Sequence, residues 1–384
     1  MIKNNRIVNI DILRGVAIIW VLLSHLSFTI LQNVSPSWFS AGWVGVDIFF
    51  VISGFVVTRS YINYIPVAIF KSMSVKQRFF VNNYYLLRRL VRLQPVAWIW
   101  VLIPLILSIY FNTYGYFGTS HNLLNEGVSV FLLYYNYFLS YTGHKILMPF
   151  WSLAIEEHYY ILLMLLTQIS IGRVKISKIL ILVLLILVLN RIKVVFLTDN
   201  PTHVFLFFSQ YRMDGLILGS LLAFNIESPL LHKFNTALSK LKTNWILPFL
   251  LFLLYGIAVY IEKTQFHFSF GHLLISLLSL LIVWIAILAP QSHPLTSIKQ
   301  KFLNGLQTIG LRSYSIYLIH FSLILLFFEF KLSYFSQIGY WSGFSWPFWE
   351  LCFYLVLLFI IVEINYRFIE EKMIVLSKRV KLPK

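Results

Sequence analysis

Hydrophobic positions along this chain neither alternate with polar ones nor recur as a narrow helical stripe; they run on. Predominantly apolar blocks of about 20 residues follow one another from end to end, each long enough to cross a bilayer as a helix. They predict spans over roughly 10–31, 43–62, 92–111, 150–169, 178–198, 203–225, 245–262, 270–290, 306–330 and 346–366. A further apolar piece, "GVSVFLLYYNYFLS" (127–140), has only 14 residues. That length suits an interfacial or re-entrant helix better than a crossing.

Lys and Arg set the sidedness. If 127–140 does not cross, one face holds the N-terminal tail and segments 63–92, 170–178, 226–244, 291–305 and 367–384. These carry 2, 6, 3, 3, 2 and 6 basic residues, 22 together, while the opposite face holds only Lys145, Lys263 and Lys331. A crossing at 127–140 would turn "GRVKISK" (172–178) and later basic loops outward. The positive-inside bias therefore predicts ten spans with both termini in the cytoplasm. The expected fold is an all-α, polytopic membrane bundle, with one membrane domain over 1–366 and a short basic tail over 367–384.

Composition narrows the picture further. The chain is 59% hydrophobic and 12% charged, which excludes an ordinary soluble globule, where roughly 25% charge is usual. The single cysteine, Cys352, rules out an intrachain disulfide. Lys3 and Arg6 precede the first apolar run as in a signal peptide. That run carries polar residues, however, and no small-x-small cleavage site follows, so it reads as a retained first span. The net charge of +17 reads as cytoplasmic loop charge, not as a nucleic-acid footprint.

The first span, "NIDILRGVAIIWVLLSHLSF", places Asp11, Arg14 and His25 in an apolar run. Arg14 and His25 are 11 residues apart, a net rotation of ~20° and a rise of ~16 Å on a helix. Asp11 falls within ~60° of both, so the three form one stripe. Such residues face a bundle interior or a wet cavity, not lipid. With the N-terminus inside, Arg14 lies near the cytoplasmic surface and His25 in the outer half. Asp47 and Glu156, at the outer ends of their spans, reach a comparable depth. A histidine with carboxylate neighbours is the set that general-base chemistry on a hydroxyl requires. At the cytoplasmic end, "YLLRRLVRLQP" offers Arg89 and Arg92 as i,i+3 neighbours, a pairing suited to gripping phosphate.

Other intramembrane polar residues leave alternatives open. Arg212 and Asp214 satisfy each other or a neighbouring helix. His320 makes a core hydrogen bond or lines a cavity, Arg59 snorkels or joins the basic mouth, and Tyr159 and Tyr160 fit packing. No metal-ligand spacing is present.

Taken together, "NIDILRGVAIIWVLLSHL", "GWVGVDIFFVISGFVVT", "RRLVRLQP", "FWSLAIEEHYY", "YRMDGLILGSLLA" and "LRSYSIYLIHFSLI" resemble, in order, the signatures of the acyltransferase family 3 membrane proteins, which O-acylate bacterial surface sugars. The resemblance covers nearly the whole chain. One departure is Asn365, where the family pattern leads one to expect Pro between Glu363 and Arg367. Another is that many relatives carry an extra soluble esterase-like domain, whereas this sequence stops within 20 residues of its last expected span.

The resemblance implies an enzyme of the bacterial inner membrane. It would move an acyl group, acetyl foremost, from cytoplasmic acetyl-CoA to a hydroxyl of a lipopolysaccharide O-antigen or similar envelope glycan, free or lipid-linked. In that scheme Arg14, Arg89 and Arg92 grip the CoA phosphates. His25 is the base, with Asp47 and Glu156 as its carboxylates, and a separate envelope protein is one way to complete transfer. The competing class is a transporter or flippase of a lipid-linked sugar. Such proteins often show inverted repeats, and none is visible here.

Overall fold

The computed structural model describes residues 6–31, 35–64, 72–169, 173–197, 207–262, 270–290, 298–335 and 347–380. Lys263, the basic-loop stretches 65–71, 170–172 and 291–297, the start of the sixth expected span (203–206) and residues 381–384 of the tail lie outside them.

Every regular element among the described residues is helical, as lipid requires of a chain that must satisfy its backbone internally. In order they are α1 (Val8–Ser27), a 3-10 stretch (Ser37–Val44), α2 (Gly45–Tyr64), α3 (Val75–Tyr110), α4 (Ser120–Phe131), α5 (Tyr135–Thr142), α6 (Phe150–Ile169) and α7 (Arg173–Leu197). After them come α8 (Ser209–Arg212), α9 (Asp214–Asn225), α10 (Pro229–Ser239), α11 (Thr243–Glu262), α12 (Gly271–Leu288) and α13 (Ile298–Leu311). The last are α14 (Ser313–Phe335), α15 (Pro347–Asn365), a π turn (Tyr366–Glu370) and α16 (Glu371–Arg379).

Among the described residues seven stretches are long and apolar enough to cross a membrane: α1, α2 with its 3-10 lead, α3, α11, α12, α14, and α15 with its extension to Arg379. The pair α9 and α10, bent by 102°, makes an eighth if counted as one. The chain is thus a polytopic membrane protein with seven or eight candidate spans. The fourth and fifth expected spans do form helices, α6 and α7, but are not among the seven. Glu156, Glu157 and His158 interrupt α6, and Lys175, Lys178, Arg191 and Lys193 bracket the apolar run of α7. The sixth is a broken helix, with α8 and α9 separated at Met213.

Helix α3 outruns its apolar sequence. The 36 residues of α3 make a rod of ~54 Å, so Arg88, Arg89 and Arg92 sit on a continuous helix, not in a loop. Segment 127–140 falls into α4 and α5, of 12 and 8 residues. At ~18 and ~12 Å neither spans a ~30 Å hydrocarbon core.

The chain divides into two compact units. The first comprises Met1–Ser24, Ser40–Phe79 and His158–Ser313. In it α2 packs on α9 and α12 over a core including Ile48, Val51, Phe55, Leu222 and Ile282. Glycines let the backbones touch: a Cβ on Gly219 would lie 2.1 Å from the Val51 carbonyl oxygen, and one on Gly54 2.1 Å from that of Leu216. Likewise α1 meets α13 through Gly15 against Leu306 and Gly310 against Asp11.

The second unit comprises His25–Phe39, Phe80–Glu157 and Tyr314–Lys384. Buried polar side chains tie it together. Asn365, in place of the expected proline, accepts from Trp100 Nε1 at 3.0 Å and donates to Ser315 Oγ at 2.7 Å. Ser315 in turn donates to Glu370. A proline could make none of these side-chain bonds. Glu126 of α4 accepts from the Tyr135 hydroxyl (3.1 Å) and the Leu147 N–H (2.9 Å), fastening α5 and the following turn to α4. Glu329 of α14 accepts from the Tyr114 and Tyr116 N–H groups.

Candidate functional site

In the second unit the last turn of α1 presents His25, a residue whose ring would be costly against lipid and which packs on α14 instead. Its Nδ1 lies 2.7 Å from His320 Nε2, with the two rings 15° from parallel. Phe321 meets the His25 ring edge-on. His320 is fully buried, and its Nδ1 lies 2.8 Å from the Tyr317 carbonyl oxygen and 3.1 Å from that of Ile316. Of the two alternatives left open by the sequence, His320 takes the hydrogen-bonded one.

One turn back along α14, the Tyr317 hydroxyl and Ser152 Oγ are 2.7 Å apart. Ser152 stands one turn before Glu156 on α6, and Tyr317 is close enough to Glu156 to feel its charge. Glu156 and Glu157 line a small cavity of about 20 Å³, room for about one water, together with Gln94, Tyr135 and Tyr314. Gln94 hydrogen-bonds to Glu157, and Arg89 faces Glu157 electrostatically. Tyr314 donates to the Leu93 carbonyl at 2.8 Å, in the field of Arg92, Glu156, Glu157 and Glu370. The expected site residues His25, Glu156, Arg89 and Arg92 thus belong to one unit. A chain of contacts runs from His25 through His320, Tyr317 and Ser152 toward the carboxylates, with the arginines beside the cavity.

The first unit holds the other two. Arg14 and Arg6 both pair with Asp11, at 3.4 and 2.6 Å. Asp47, fully buried, accepts from both Nη atoms of Arg212 at 3.1 and 3.3 Å. Arg212 Nη1 also lies 2.6 Å from His272 Nδ1. Guanidinium nitrogens only donate, so His272 Nδ1 accepts and its proton sits on Nε2. Asp214 pairs with Arg191 at 2.8 Å, both fully buried. Arg212 and Asp214 therefore each satisfy a neighbouring helix, not each other. The four ions balance, two positive and two negative. Arg191, His272 and Tyr317 were not singled out by sequence. Their signal was the same as that of Arg14 and His25, a polar group inside an apolar run.

The arrangement can hold an imidazole toward a hydroxyl, place two carboxylates in a cavity and gather cationic charge beside it. The acyltransferase domain family matches residues 7–367. The chain is 29% identical to peptidoglycan O-acetyltransferase OatA of Listeria monocytogenes over 383 residues, covering 94% of this chain and 55% of that protein. It is also 29% identical to O-acetyltransferase OatA of Staphylococcus aureus, covering 94% of this chain and 56% of the relative. The chain thus spans little more than half the length of these curated relatives. No solved structure matches it. With the family's pattern running through all but the ends of the sequence, from the first helix to the π turn after α15, the chain belongs to acyltransferase family 3.

Proposed function

We propose that this protein is a membrane O-acyltransferase that moves an acetyl group from cytoplasmic acetyl-CoA to a hydroxyl of a bacterial envelope glycan. The observation that carries the reading is the chain of contacts from His25 through His320, Tyr317 and Ser152 to the cavity of Glu156 and Glu157, flanked by Arg89 and Arg92. In this reading the protein lies in the inner membrane and crosses it ten times, α6, α7 and the broken α8–α9 segment included, with both termini inside.

The roles follow from side-chain chemistry. Arg89 and Arg92 on α3 offer planar forks to the phosphates of CoA; the family pattern adds Arg14, which within the first unit pairs with Asp11. The thin pantetheine arm carries the thioester inward. His25 takes the proton of the acceptor hydroxyl as its oxygen attacks the acyl carbon. The carbon–sulfur bond breaks, and the proton passes to the departing thiolate, giving the ester and the CoA thiol. Glu156 stands in the cavity as a hydrogen-bond acceptor for acceptor hydroxyls. Asp47 contributes through Arg212, tying α2 to α8.

The acceptor class rests on the relatives' names. Two bear the acetylation of peptidoglycan or its generic form, and a lipopolysaccharide O-antigen offers the same hydroxyl chemistry. Mass spectrometry of peptidoglycan and lipopolysaccharide from cells carrying wild type, His25→Ala or no gene tests both points. Acetyl groups lost from one glycan in both the variant and the deletion are expected. Unchanged acetylation of every envelope glycan in the deletion strain would overturn the function. Wild-type acetylation by His25→Ala would overturn His25 as the base.

A further inference from the structure

We propose that His320 is a positioning residue that holds His25 in the single tautomer able to act as a base, with the proton on Nδ1 and the lone pair on Nε2; this rests on the assignment of His25 above. The geometry leaves little choice. His320 Nδ1 faces two carbonyl oxygens, Tyr317 O at 2.8 Å and Ile316 O at 3.1 Å. A carbonyl only accepts, so Nδ1 of His320 carries a proton. A neutral imidazole has one such proton, so His320 Nε2 is an acceptor. The ring is fully buried, and no carboxylate hydrogen-bonds to it among the described residues, so a second, charging proton is costly there. His25 Nδ1, 2.7 Å away, must therefore donate. Its own lone pair is left on Nε2, which makes no hydrogen bond to another described residue.

The opposite tautomer would put N–H on Nε2, and His25 could then only donate to an incoming hydroxyl. The arrangement also supports the proton once taken. When the hydroxyl proton reaches Nε2, His25 becomes an imidazolium whose Nδ1–H bond to His320 is charge-assisted and stronger. His320 cannot pass the proton on, because its far nitrogen ends on carbonyls. The proton stays with His25 until the thiolate takes it. The Tyr354 hydroxyl, donating to the His320 carbonyl at 3.0 Å, pins the helix turn that carries the ring.

The test pairs an acceptor-preserving variant with one that removes the acceptor. In His320→Gln the amide oxygen reaches the place of Nε2; in His320→Leu nothing there accepts. Purified protein in lipid nanodiscs is assayed by acetyl-CoA titration against a soluble glycan acceptor. Histidine labelled with nitrogen-15 reports which ring nitrogen of His25 is protonated, its signals identified by their loss in His25→Gln. Wild type is expected to show Nδ1 protonated. His320→Leu is expected to show a mixture, with kcat down roughly a hundredfold, the order of a lost general base, and KM for acetyl-CoA unchanged. His320→Gln should keep the wild-type tautomer and most of kcat. An Nε2-protonated His25 in wild type, or the same tautomer and equal kcat in Leu and Gln variants, would overturn the proposal. Full turnover by His25→Gln, with the tautomer as expected, would instead overturn the assignment of His25 as base, and with it any catalytic role for His320.

Discussion

Asp47→Asn is the sharpest perturbation the first unit offers. Asp47 and Arg212 are almost wholly excluded from solvent and joined at 3.1 and 3.3 Å. Beside them Arg191 and Asp214 form a second buried pair at 2.8 Å. Asn has nearly the same shape as Asp, so the change removes one charge and leaves no cavity. What remains is two guanidiniums against one carboxylate in a site closed to solvent, where nothing screens them. Breaking a buried pair by neutralising one partner costs ~3–5 kcal/mol, roughly a hundredfold to several thousandfold in the ratio of folded to unfolded protein. The assay is the unfolding midpoint in detergent, read by intrinsic fluorescence and by size-exclusion profile. Adding Arg212→Gln should recover most of the loss, because the second change removes the stranded charge. Asp47→Asn with wild-type stability and no transfer activity would refute the scaffold role and return Asp47 to the chemistry.

Three further expectations follow from local geometry. Gly219→Ala should lower the unfolding midpoint by the equivalent of ~1–3 kcal/mol, since its Cβ would sit 2.1 Å from the Val51 oxygen, whereas Gly256→Ala, with nothing within 4 Å, should be neutral or mildly stabilising. Arg89→Ala or Arg92→Ala should raise the acetyl-CoA requirement roughly ten- to a hundredfold, the worth of a charged bond to phosphate; Lys should rescue only in part, and full rescue by Lys would point to charge placement alone. Burial lifts the Glu126 carboxyl above its ordinary range, against the Leu147 N–H and Tyr135 hydroxyl that favour the anion. A raised carboxyl stabilises the folded segment in acid and loses that contribution as pH climbs through its folded value. Once corrected for the slower intrinsic exchange of amides in acid, the protection of 112–149 should therefore be higher in mild acid than at neutral pH, and Glu126→Gln should flatten the difference.

Long apolar runs were legible because lipid leaves a chain almost no alternative to a helix. The expected 245–262 and 270–290 return as Thr243–Glu262 and Gly271–Leu288. Hydropathy is silent where a helix continues into water, so the extension of α3 back to Val75 and of α15 through a π turn could not be read. The break at Met213 has no proline or glycine at it to announce it. Candidate site residues stood out one at a time, as polar intrusions into apolar blocks. Their partners did not. His25 and His320 are 295 residues apart, and Asp47 and Arg212 165. No local pattern encodes which of several buried polar groups lies opposite which.

The length of α3 has a mechanical consequence. Its 36 residues, with Pro95 and Pro104 inside it, exceed a ~30 Å hydrocarbon layer by roughly 24 Å, and Arg89 and Arg92 lie on the same helix as its apolar end. A bilayer of different thickness is met by tilting such a helix or by stretching the lipid around it. Either response moves the arginines in or out of the headgroup layer. If the arginines hold the donor as proposed, acyl-chain length and sterol-like stiffeners would then tune donor capture without touching a reacting atom, making turnover a gauge of the membrane in which the protein sits.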